Sequence, residues 1–276
     1  MTTPVSVLDE LRRDVASRMG WPDGGAAGLR AWLDLPNTHI PAAPYDLTLP
    51  EHDRAQRQPH RSLVIATGYR SGSTLLAEGL AGAGGFGVPV EYLQAGAMQR
   101  RFPRFAAPTT SEYLSTVMRH RTCATGVFGI KLFWPEARFL DQLPDPTIIR
   151  LRREDVLAQA VSTWSALVTG VWRSPSPRTA EVPYDRARLT ALTAMHAEHD
   201  ANWQQALAGR PVINLTYEQL SVDPREAIES LVSELARAGL PAEGAVPPPR
   251  LARQGGERAR ALIDRLAEDI RSGRWM

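Results

Sequence analysis

The sequence predicts an α/β fold in three layers, with a central, mainly parallel sheet and helices on both faces. Four short apolar segments occur along the chain, and helical patterns lie between them. These segments are continuously apolar rather than alternating, which is typical of strands covered on both faces. Several helical patterns end in glycine, a common stop signal. The 276 residues, 43% of them hydrophobic, suffice for one large core.

The first 60 residues differ in composition from the rest and are predicted to form an N-terminal helical and extended arm. Residues 5–19 place apolar side chains at helical spacing, which predicts one amphipathic helix. The stretch after it is rich in Pro, Gly and polar residues, which indicates extended chain. The sequence leaves open whether this arm packs on the core or on a partner. Residues 61–276 form the main domain.

The main domain begins with a strand followed directly by a helix. The apolar stretch 62–68 (SLVIATG) predicts the first strand, and 73–84 predicts a helix that ends in glycines. Residues 85–94 form a short turn or strand. A helix follows at 110–122, because its first residues offer an N-cap and an early acidic residue.

Two further strands are predicted in the middle of the chain. The stretch 127–134 (VFGIKLFW) is the second strand, and 135–143 is a short helix with Pro at its start. Residues 146–153 (PTIIRLRR) form the third strand. The helix at 154–170 is amphipathic and stops at Gly170.

The last part of the chain repeats the strand and helix pattern once more. A long helix is predicted at 186–208 and the fourth strand at 211–220. The helix at 223–239 has an acidic start and a glycine end. A Pro- and Gly-rich loop over 244–256 precedes a final helix at 257–272.

The composition excludes several classes of protein. The formal net charge is only +2, which does not favour a nucleic-acid-binding protein. Cys123 is the only cysteine, so no internal disulfide is expected and a reducing compartment fits. The N-terminus lacks an apolar signal-peptide core and no apolar stretch approaches 18 residues, so we expect a cytoplasmic chain without a membrane span. Of the 32 basic residues 31 are arginines, so cationic steps away from Lys131 would depend on Arg.

The loop between the first strand and its helix has the composition of an anion-binding loop. Free backbone N–H groups and the helix dipole at such a junction attract an anion. Gly72 allows close approach of the backbone, and Arg70 adds a positive charge. Ser71, Ser73 and Thr74 add hydroxyl donors. An ordinary strand–helix turn with a serine cap is the alternative.

This loop does not match the phosphate-binding loop of a kinase. That motif needs G-x-x-x-x-G-K-[ST], whereas Gly68 and Gly72 are one residue too close and no lysine precedes Ser73. A strand-end aspartate for Mg²⁺ is missing too, since the third strand ends in arginines. The loop therefore favours a phosphate-bearing ligand held without metal. A small-molecule kinase is kept as an alternative.

A second anion site is predicted after the third strand. Arg153 stands at the strand end and Ser162 lies two turns into the next helix. Both could converge on one phosphate at the carboxyl edge of the sheet, where ligands bind in such folds. A solvated arginine and an ordinary mid-helix serine are the alternative.

Four segments, in this order, resemble bacterial sulfotransferases of the trehalose 2-sulfotransferase type. They are RSGSTLL, GVPVEYL, FGIKLFW and LRREDVLAQAVSTWSALVTGVW, and the resemblance extends from about Ser62 to Tyr217. It implies a P-loop-like sulfotransferase fold and a metal-free enzyme that uses 3′-phosphoadenosine 5′-phosphosulfate (PAPS) as sulfuryl donor. Members of that family form dimers, which makes a homodimer an expectation.

The resemblance also implies roles for individual residues. The loop Arg70–Thr74 would hold the 5′-phosphosulfate, and Arg153 with Ser162 would hold the 3′-phosphate. Glu91 would be the general base that deprotonates the acceptor hydroxyl. Tyr217 would lie near the nucleotide. The pair Arg253 and Gln254 would contact the adenosine.

Other polar residues are weaker candidates. Lys131 is interpreted either as a contact to the sulfuryl oxygens or as a structural ion pair. His196 and His199 lie three residues apart on a predicted helix and suggest either a metal pair or, preferably, a solvated helix face. His120 is a minor candidate for the acceptor pocket.

The acceptor is the least determined part of the function. The resemblance implies a small-molecule hydroxyl on a carbohydrate or glycosylated natural product. The Pro- and Arg-rich segment 172–189 is a candidate cover of the acceptor site. A catalytically silent nucleotide-binding protein is a third alternative, and it would bind 3′-phosphoadenosine 5′-phosphate (PAP) without transferring sulfate.

Overall fold

A four-stranded parallel sheet forms the centre of the computed structural model. Its strands are β1 (Arg61–Thr67), β2 (Val127–Leu132), β3 (Pro146–Arg152) and β4 (Val212–Thr216), in the spatial order β2-β1-β3-β4. In the register, Ile65 of β1 pairs with Lys131 and with Ile149. The structure describes residues 25–35, 47, 50–54, 56–94, 102–172, 181–251 and 256–274.

The helices carry the remaining layers. They are α1 (Gly25–Trp32), α2 (Ser73–Ala83), α3 (Thr110–Arg121), α4 (Val156–Thr169), α5 (Arg186–Ala206), α6 (Tyr217–Val222), α7 (Pro224–Arg237) and α8 (Glu257–Arg271). Short 3₁₀ helices lie at Pro50–His52, Pro103–Phe105 and Trp134–Gln142. No helix among these described residues combines the length and apolar content that crossing a membrane requires.

Successive residues of β1 point to opposite faces of the sheet, as the strand period requires. Leu63 and Ile65 belong to an apolar cluster with residues of α2 and α7. Val64 and Ala66 belong to a second cluster on the other face, which includes Trp203 of α5. Helices therefore cover both faces, and the predicted three-layer α/β fold is confirmed.

A third apolar cluster joins helices at the side of the sheet. Leu29 of α1 packs there with Leu167 of α4 and Leu266 of α8. The side chain of Arg30 is buried and donates a hydrogen bond to the carbonyl of Leu167. The expectation of extended chain in this part of the arm was wrong, because α1 gains an apolar packing surface that local glycine content does not reveal.

The described residues just before the main domain also pack on it. Arg121 of α3 is fully buried, donates to the carbonyl of Leu47 at 2.8 Å and pairs with Asp53 at 2.8 Å. A second arginine, Arg104, bonds the same carboxylate at 2.7 Å. These parts of the arm therefore lie on the core. The predicted helix at 5–19 lies outside the described residues.

The fourth strand is shorter than its apolar pattern indicates. Thr216 ends β4 and caps α6: its hydroxyl accepts a hydrogen bond from the N–H of Gln219 at 3.2 Å, and the Gln219 side chain accepts from the Thr216 N–H at 2.9 Å. This reciprocal capping box starts a helix at Tyr217. The prediction of strand as far as residue 220 was therefore wrong.

Candidate active site

The loop Gly68–Gly72 joins the carboxyl end of β1 to the first turn of α2. Gly72 has a φ of 84° and Arg70 a φ of 59°, so two of its five residues are left-handed. In the part of the chain that the structure describes, no side chain caps the first turn of α2. The N-terminal amides of this 11-residue helix therefore receive no side-chain cap from the N-cap residue Gly72, and the prediction that they bind an anion stays a prediction.

The hydroxyl of Ser71 serves the loop itself. Ser71 is completely buried, and its Oγ donates to the carbonyl of Gly68 at 2.8 Å. It also lies 2.6 Å from Oγ1 of Thr67, which in turn donates to the carbonyl of Leu151 at 2.9 Å. Ser71 thus fastens the loop to β3 through its side chain, which leaves only its main chain to face a ligand.

Arg70 reaches from the loop to α4. Its Nε donates to Oγ of Ser162 at 3.0 Å, and its Nη1 donates to the carbonyl of Trp172. The sequence predicted that Ser162 would meet Arg153; the structure places it against Arg70. Both predicted anion sites are consequently in direct contact.

Arg153 and Tyr217 complete this cluster. The guanidinium carbon of Arg153 lies 4.4 Å from the centre of the Tyr217 ring, and Nη1 of Arg153 donates to the carbonyl of Arg70 at 3.2 Å. A Cβ on Gly72 would stand only 2.9 Å from Cδ2 of Tyr217. A glycine is therefore required at position 72 both by its φ and by the tyrosine ring.

The sheet topology explains why these residues meet. The connection from β1 leads to α2, which packs on one face of the sheet, and the connection from β3 leads to α4, which packs with α5. Since β1 and β3 are neighbours, their carboxyl ends flank the crevice in which ligands bind in open α/β sheets. The start of α6 follows β4, the next strand, and brings Tyr217 to the same edge.

Glu91 and Lys131 form an ion pair beside the loop. Nζ of Lys131 lies 2.9 Å from Oε1 of Glu91 and 3.5 Å from Oγ1 of Thr74. The lysine is 2% exposed, whereas the glutamate side chain is 24% exposed. Lys131 was interpreted either as a contact to the sulfuryl oxygens or as a member of a structural ion pair. Both interpretations place it in the candidate site, since its ion-pair partner is the proposed base.

Backbone contacts put Glu91 at this position. Val90 forms a parallel bridge to Ile130 of β2, and its carbonyl accepts from the N–H of Lys131 at 3.0 Å. Gly87 and Gly129 allow this close approach, because a Cβ on Gly87 would lie 2.4 Å from the nitrogen of Gly129. The segment predicted as turn or strand therefore lies directly against β2.

The two histidines of α5 are buried, so their interpretation as a solvated helix face was wrong. His196 is 3% exposed and its Nε2 lies 2.9 Å from Oγ1 of Thr163, while His199 is 2% exposed. Burial, with smaller contributions from His199 and Arg153, lowers the pKa of His196 well below its ordinary value. Burial also lowers the pKa of His199 to about 4. No group of three metal-ligating side chains occurs in the described part of the chain.

The remaining predicted residues fall elsewhere. His120 stacks on Phe105 at 5.2 Å, and its carbonyl accepts from the N–H of Arg54, so it packs beside the arm. Arg253 and Gln254, and residues 173–180 of the proposed acceptor cover, lie outside the described residues.

Sequence reasoning missed Gln159, which binds the loop from α4. Its Nε2 donates to the carbonyl of Tyr69 at 2.6 Å. The only signal in the sequence is its place in the first turn of the helix that follows β3, which a solvated helix residue would share.

The fold and this cluster define an α/β protein in which a loop at the carboxyl edge of a parallel sheet is flanked by two arginines. The chain belongs to the Stf0 sulphotransferase family, whose model matches residues 62–147 and 136–269. The chain is therefore a sulfotransferase, as the resemblance implied, and the kinase alternative is not needed.

The chain is also similar to curated proteins and to solved structures. The chain is 29% identical to trehalose 2-sulfotransferase of Mycolicibacterium smegmatis and 28% identical to that of Mycobacterium tuberculosis. Each match covers 76% of this chain and 96% of the relative. A sulfotransferase crystal structure from Alicyclobacillus acidocaldarius aligns with a TM-score of 0.47 and 16% identity, over 77% of this chain and 93% of that one.

Proposed function

We propose that the chain transfers a sulfuryl group from PAPS to a hydroxyl of a carbohydrate or of a glycosylated small molecule. The family supports the sulfuryl transfer, and both curated relatives carry a disaccharide, trehalose, as acceptor in their names. The acceptor class is inferred from those relatives, which are under a third identical to this chain.

One observation carries the proposal for the donor. The side chains of Ser162, Arg153 and Tyr217 contact Arg70 or Gly72 of the loop, although they come from different segments of the chain. Two guanidinium groups and the amides of a helix start are suited to oxyanions. A tyrosine ring beside them offers a stacking face for a base.

The contacts suggest which groups hold which part of the donor. Arg70, with the main chain of Ser71 and Gly72 and with Ser73 and Thr74 at the start of α2, would hold the 5′-phosphosulfate. Arg153 and Ser162 would hold the 3′-phosphate, and Tyr217 would border the adenosine. Ser162 would exchange its bond to Arg70 for one to phosphate, or share it, because a hydroxyl both donates and accepts.

The proposed reaction is an in-line displacement at sulfur. Glu91 takes the proton of the acceptor hydroxyl, whose oxygen forms a bond to sulfur while the bond from sulfur to the 5′-phosphate oxygen breaks. The products are the sulfate ester and PAP, and the proton stays on Glu91 until solvent removes it. Arg70 and the α2 amides stabilise the charge that develops on the leaving phosphate oxygen.

Lys131 would serve the same step from the other side. Its ammonium lies 2.9 Å from Oε1 of Glu91 and would orient the carboxylate that takes the proton. Its 3.5 Å approach to Oγ1 of Thr74 brings it to the first turn of α2, where the sulfuryl oxygens would lie. A single lysine would thus orient the base and face the transferred group.

The test combines nucleotide binding with transfer. PAP binding is measured by calorimetry, and sulfate transfer from ³⁵S-labelled PAPS is measured on trehalose, other sugars, glycolipids and natural-product alcohols. We expect PAP binding and label transfer to at least one glycoside. PAP binding without transfer to any acceptor would favour the silent nucleotide-binding alternative, and absence of PAP binding would overturn the donor assignment.

A further inference from the structure

We propose that Gln159 is a positioning residue for the sulfuryl-transfer site, because it fixes the backbone of the loop Gly68–Gly72. This inference rests on the proposed function for its catalytic consequence. Its structural consequence, a loop held in one conformation, is independent of the ligand. Gln159 touches no reacting atom in this arrangement and acts through the loop.

Gln159 is buried and hydrogen-bonded to the backbone of the loop. Its side chain, on the first turn of α4, is 6% exposed, and Nε2 donates to the carbonyl of Tyr69 at 2.6 Å. A Cβ on Gly68 would lie 3.3 Å from that same nitrogen. The amide therefore sits against two consecutive residues of the loop, and the glycine at 68 leaves room for it.

A second side chain from the same segment holds the next carbonyl. Nη1 of Arg153 donates to the carbonyl of Arg70 at 3.2 Å. Because each peptide unit is planar and trans, a C=O that points one way directs the N–H of the following residue the opposite way. Gln159 and Arg153 hold the carbonyls of Tyr69 and Arg70 towards β3 and α4. The N–H groups of Arg70 and Ser71 are therefore directed away from β3 and α4.

The loop needs such restraint because its conformation is unfavourable. Arg70 has a φ of 59°, in the left-handed region that a non-glycine residue seldom adopts without support. The ring of Tyr69 stacks on Phe133 at 4.5 Å and fixes the preceding residue. Gln159 and Arg153 then fix the peptide units on both sides of the strained residue, and so set the direction in which Arg70 leaves the loop.

The alternative is a purely structural role, in which the hydrogen bond only compensates for burial of the Gln159 amide. Loss of the side chain would then lower global stability and leave the loop unchanged in what folded protein remained. Positioning predicts the reverse pattern: a local change at residues 68–74 with little change in global stability. The two interpretations are separated by where the change occurs.

The primary variant is Gln159→Met, which keeps the length of the side chain and removes the donor. We expect about tenfold weaker PAP binding and about 100-fold lower kcat with PAPS. Amide hydrogen exchange should rise in peptides covering 62–76 and stay unchanged in those covering β3. The matched control is Gln205→Met at an exposed position of α5; it should leave binding and loop exchange within twofold.

A second variant adds a readout that a purely structural role would not change. Gln159→Glu places a carboxylate against the Tyr69 carbonyl at neutral pH, but its protonated form can donate an O–H to that carbonyl. PAP affinity of this variant, divided by that of the wild type at the same pH, should therefore rise about fivefold from pH 8 to pH 5. This ratio cancels the titration of PAP itself.

The outcomes are distinct. If the wild type binds no PAP, the proposed function fails. The hydrogen-exchange measurement still tests whether Gln159 fixes the conformation of the loop. The positioning inference is overturned if Gln159→Met binds PAP and exchanges its loop amides like the wild type. It is also overturned if exchange rises uniformly over the whole chain, or if the Gln159→Glu ratio does not change with pH.

Discussion

Nε of Arg70 and Oγ of Ser162 are 3.0 Å apart, although 92 residues separate them in the chain. Arg70 belongs to the loop after β1, and Ser162 to the helix after β3. Their contact unites the two anion sites that the sequence predicted separately. A bisphosphorylated nucleotide that spans both would contact one continuous surface, so a substitution at either residue should affect both ends of the donor.

Replacement of the proposed base tests the chemistry apart from donor binding. For Glu91→Gln we expect kcat to fall by about 100-fold to 10,000-fold, because the amide cannot accept the hydroxyl proton. PAP affinity by calorimetry should change less than threefold. Glu229→Gln on α7 is a control for the same change on the surface. Near-normal turnover of Glu91→Gln would remove this residue from the mechanism.

The ion pair between Glu91 and Lys131 predicts a specific pattern in a double-mutant cycle. Lys131→Met should lower the free energy of unfolding by about 1–2 kcal/mol, because it removes the ammonium that pairs with a partly buried carboxylate. That figure is below the value for fully buried pairs, since Glu91 is partly exposed.

The double variant Lys131→Met/Glu91→Gln discriminates between a structural and a catalytic lysine. Urea unfolding should show that it regains most of the lost stability, because both side chains of the original ion pair are then uncharged. Turnover should stay at least as low as in Glu91→Gln alone. If the double variant recovered turnover along with stability, the pair would have only a structural role.

Substitution of Gly72 tests the packing of the loop against Tyr217. Gly72→Ala combines a φ of 84° with a Cβ 2.9 Å from the tyrosine ring, so the ring or the loop must move. We expect PAP affinity to fall at least about tenfold, the loss that about 1.4 kcal/mol of displaced contacts would cause.

A matched glycine separates packing from backbone strain. Gly209→Ala has nearly the same φ, 77°, and no heavy atom within 4 Å of its Cβ. It should lower stability by about 1 kcal/mol through strain alone and leave PAP affinity unchanged. Equal PAP affinity in both variants would show that the contact between Gly72 and Tyr217 does not shape the donor site.

The buried histidines predict a loss of stability in mild acid. The pKa of His199 is about 4 in the folded chain and near 6.5 when unfolded. Between these values the unfolded chain binds a proton that the folded chain does not, so stability is fully present above pH 6.5 and falls as the pH drops towards 4. This residue alone should account for about 2 kcal/mol between pH 7 and pH 5.

The comparison with His199→Leu isolates that contribution. Urea midpoints of both proteins at pH 7 and pH 5 give the difference in acid sensitivity. The variant should lose about 2 kcal/mol less than the wild type over this interval. The same loss in both would show that His199 is protonated in the folded chain at pH 5.

Local patterns along the chain were sufficient to predict most of the fold. Continuous apolar segments predicted four strands, and glycine stops and N-cap residues predicted the helices between them, because these signals act over a few neighbouring residues. The prediction of an anion site at the loop 68–72 also rests on such local signals. The error at β4 arose where a capping box at Thr216 competed with an apolar strand pattern.

Tertiary structure alone decided which side chains meet. The strand order β2-β1-β3-β4 and its register bring Arg70 to Ser162, Lys131 to Glu91 and Gln159 to the Tyr69 carbonyl, across 40 to 92 positions of sequence. The burial of His196 and His199 has the same origin, since α5 packs between α4 and the sheet. The sequence by itself determined most of the helices and strands and the composition of the loop after β1. Pairing between distant strands determined the site, because contacts at long sequence separation depend on the whole fold and not on any local pattern.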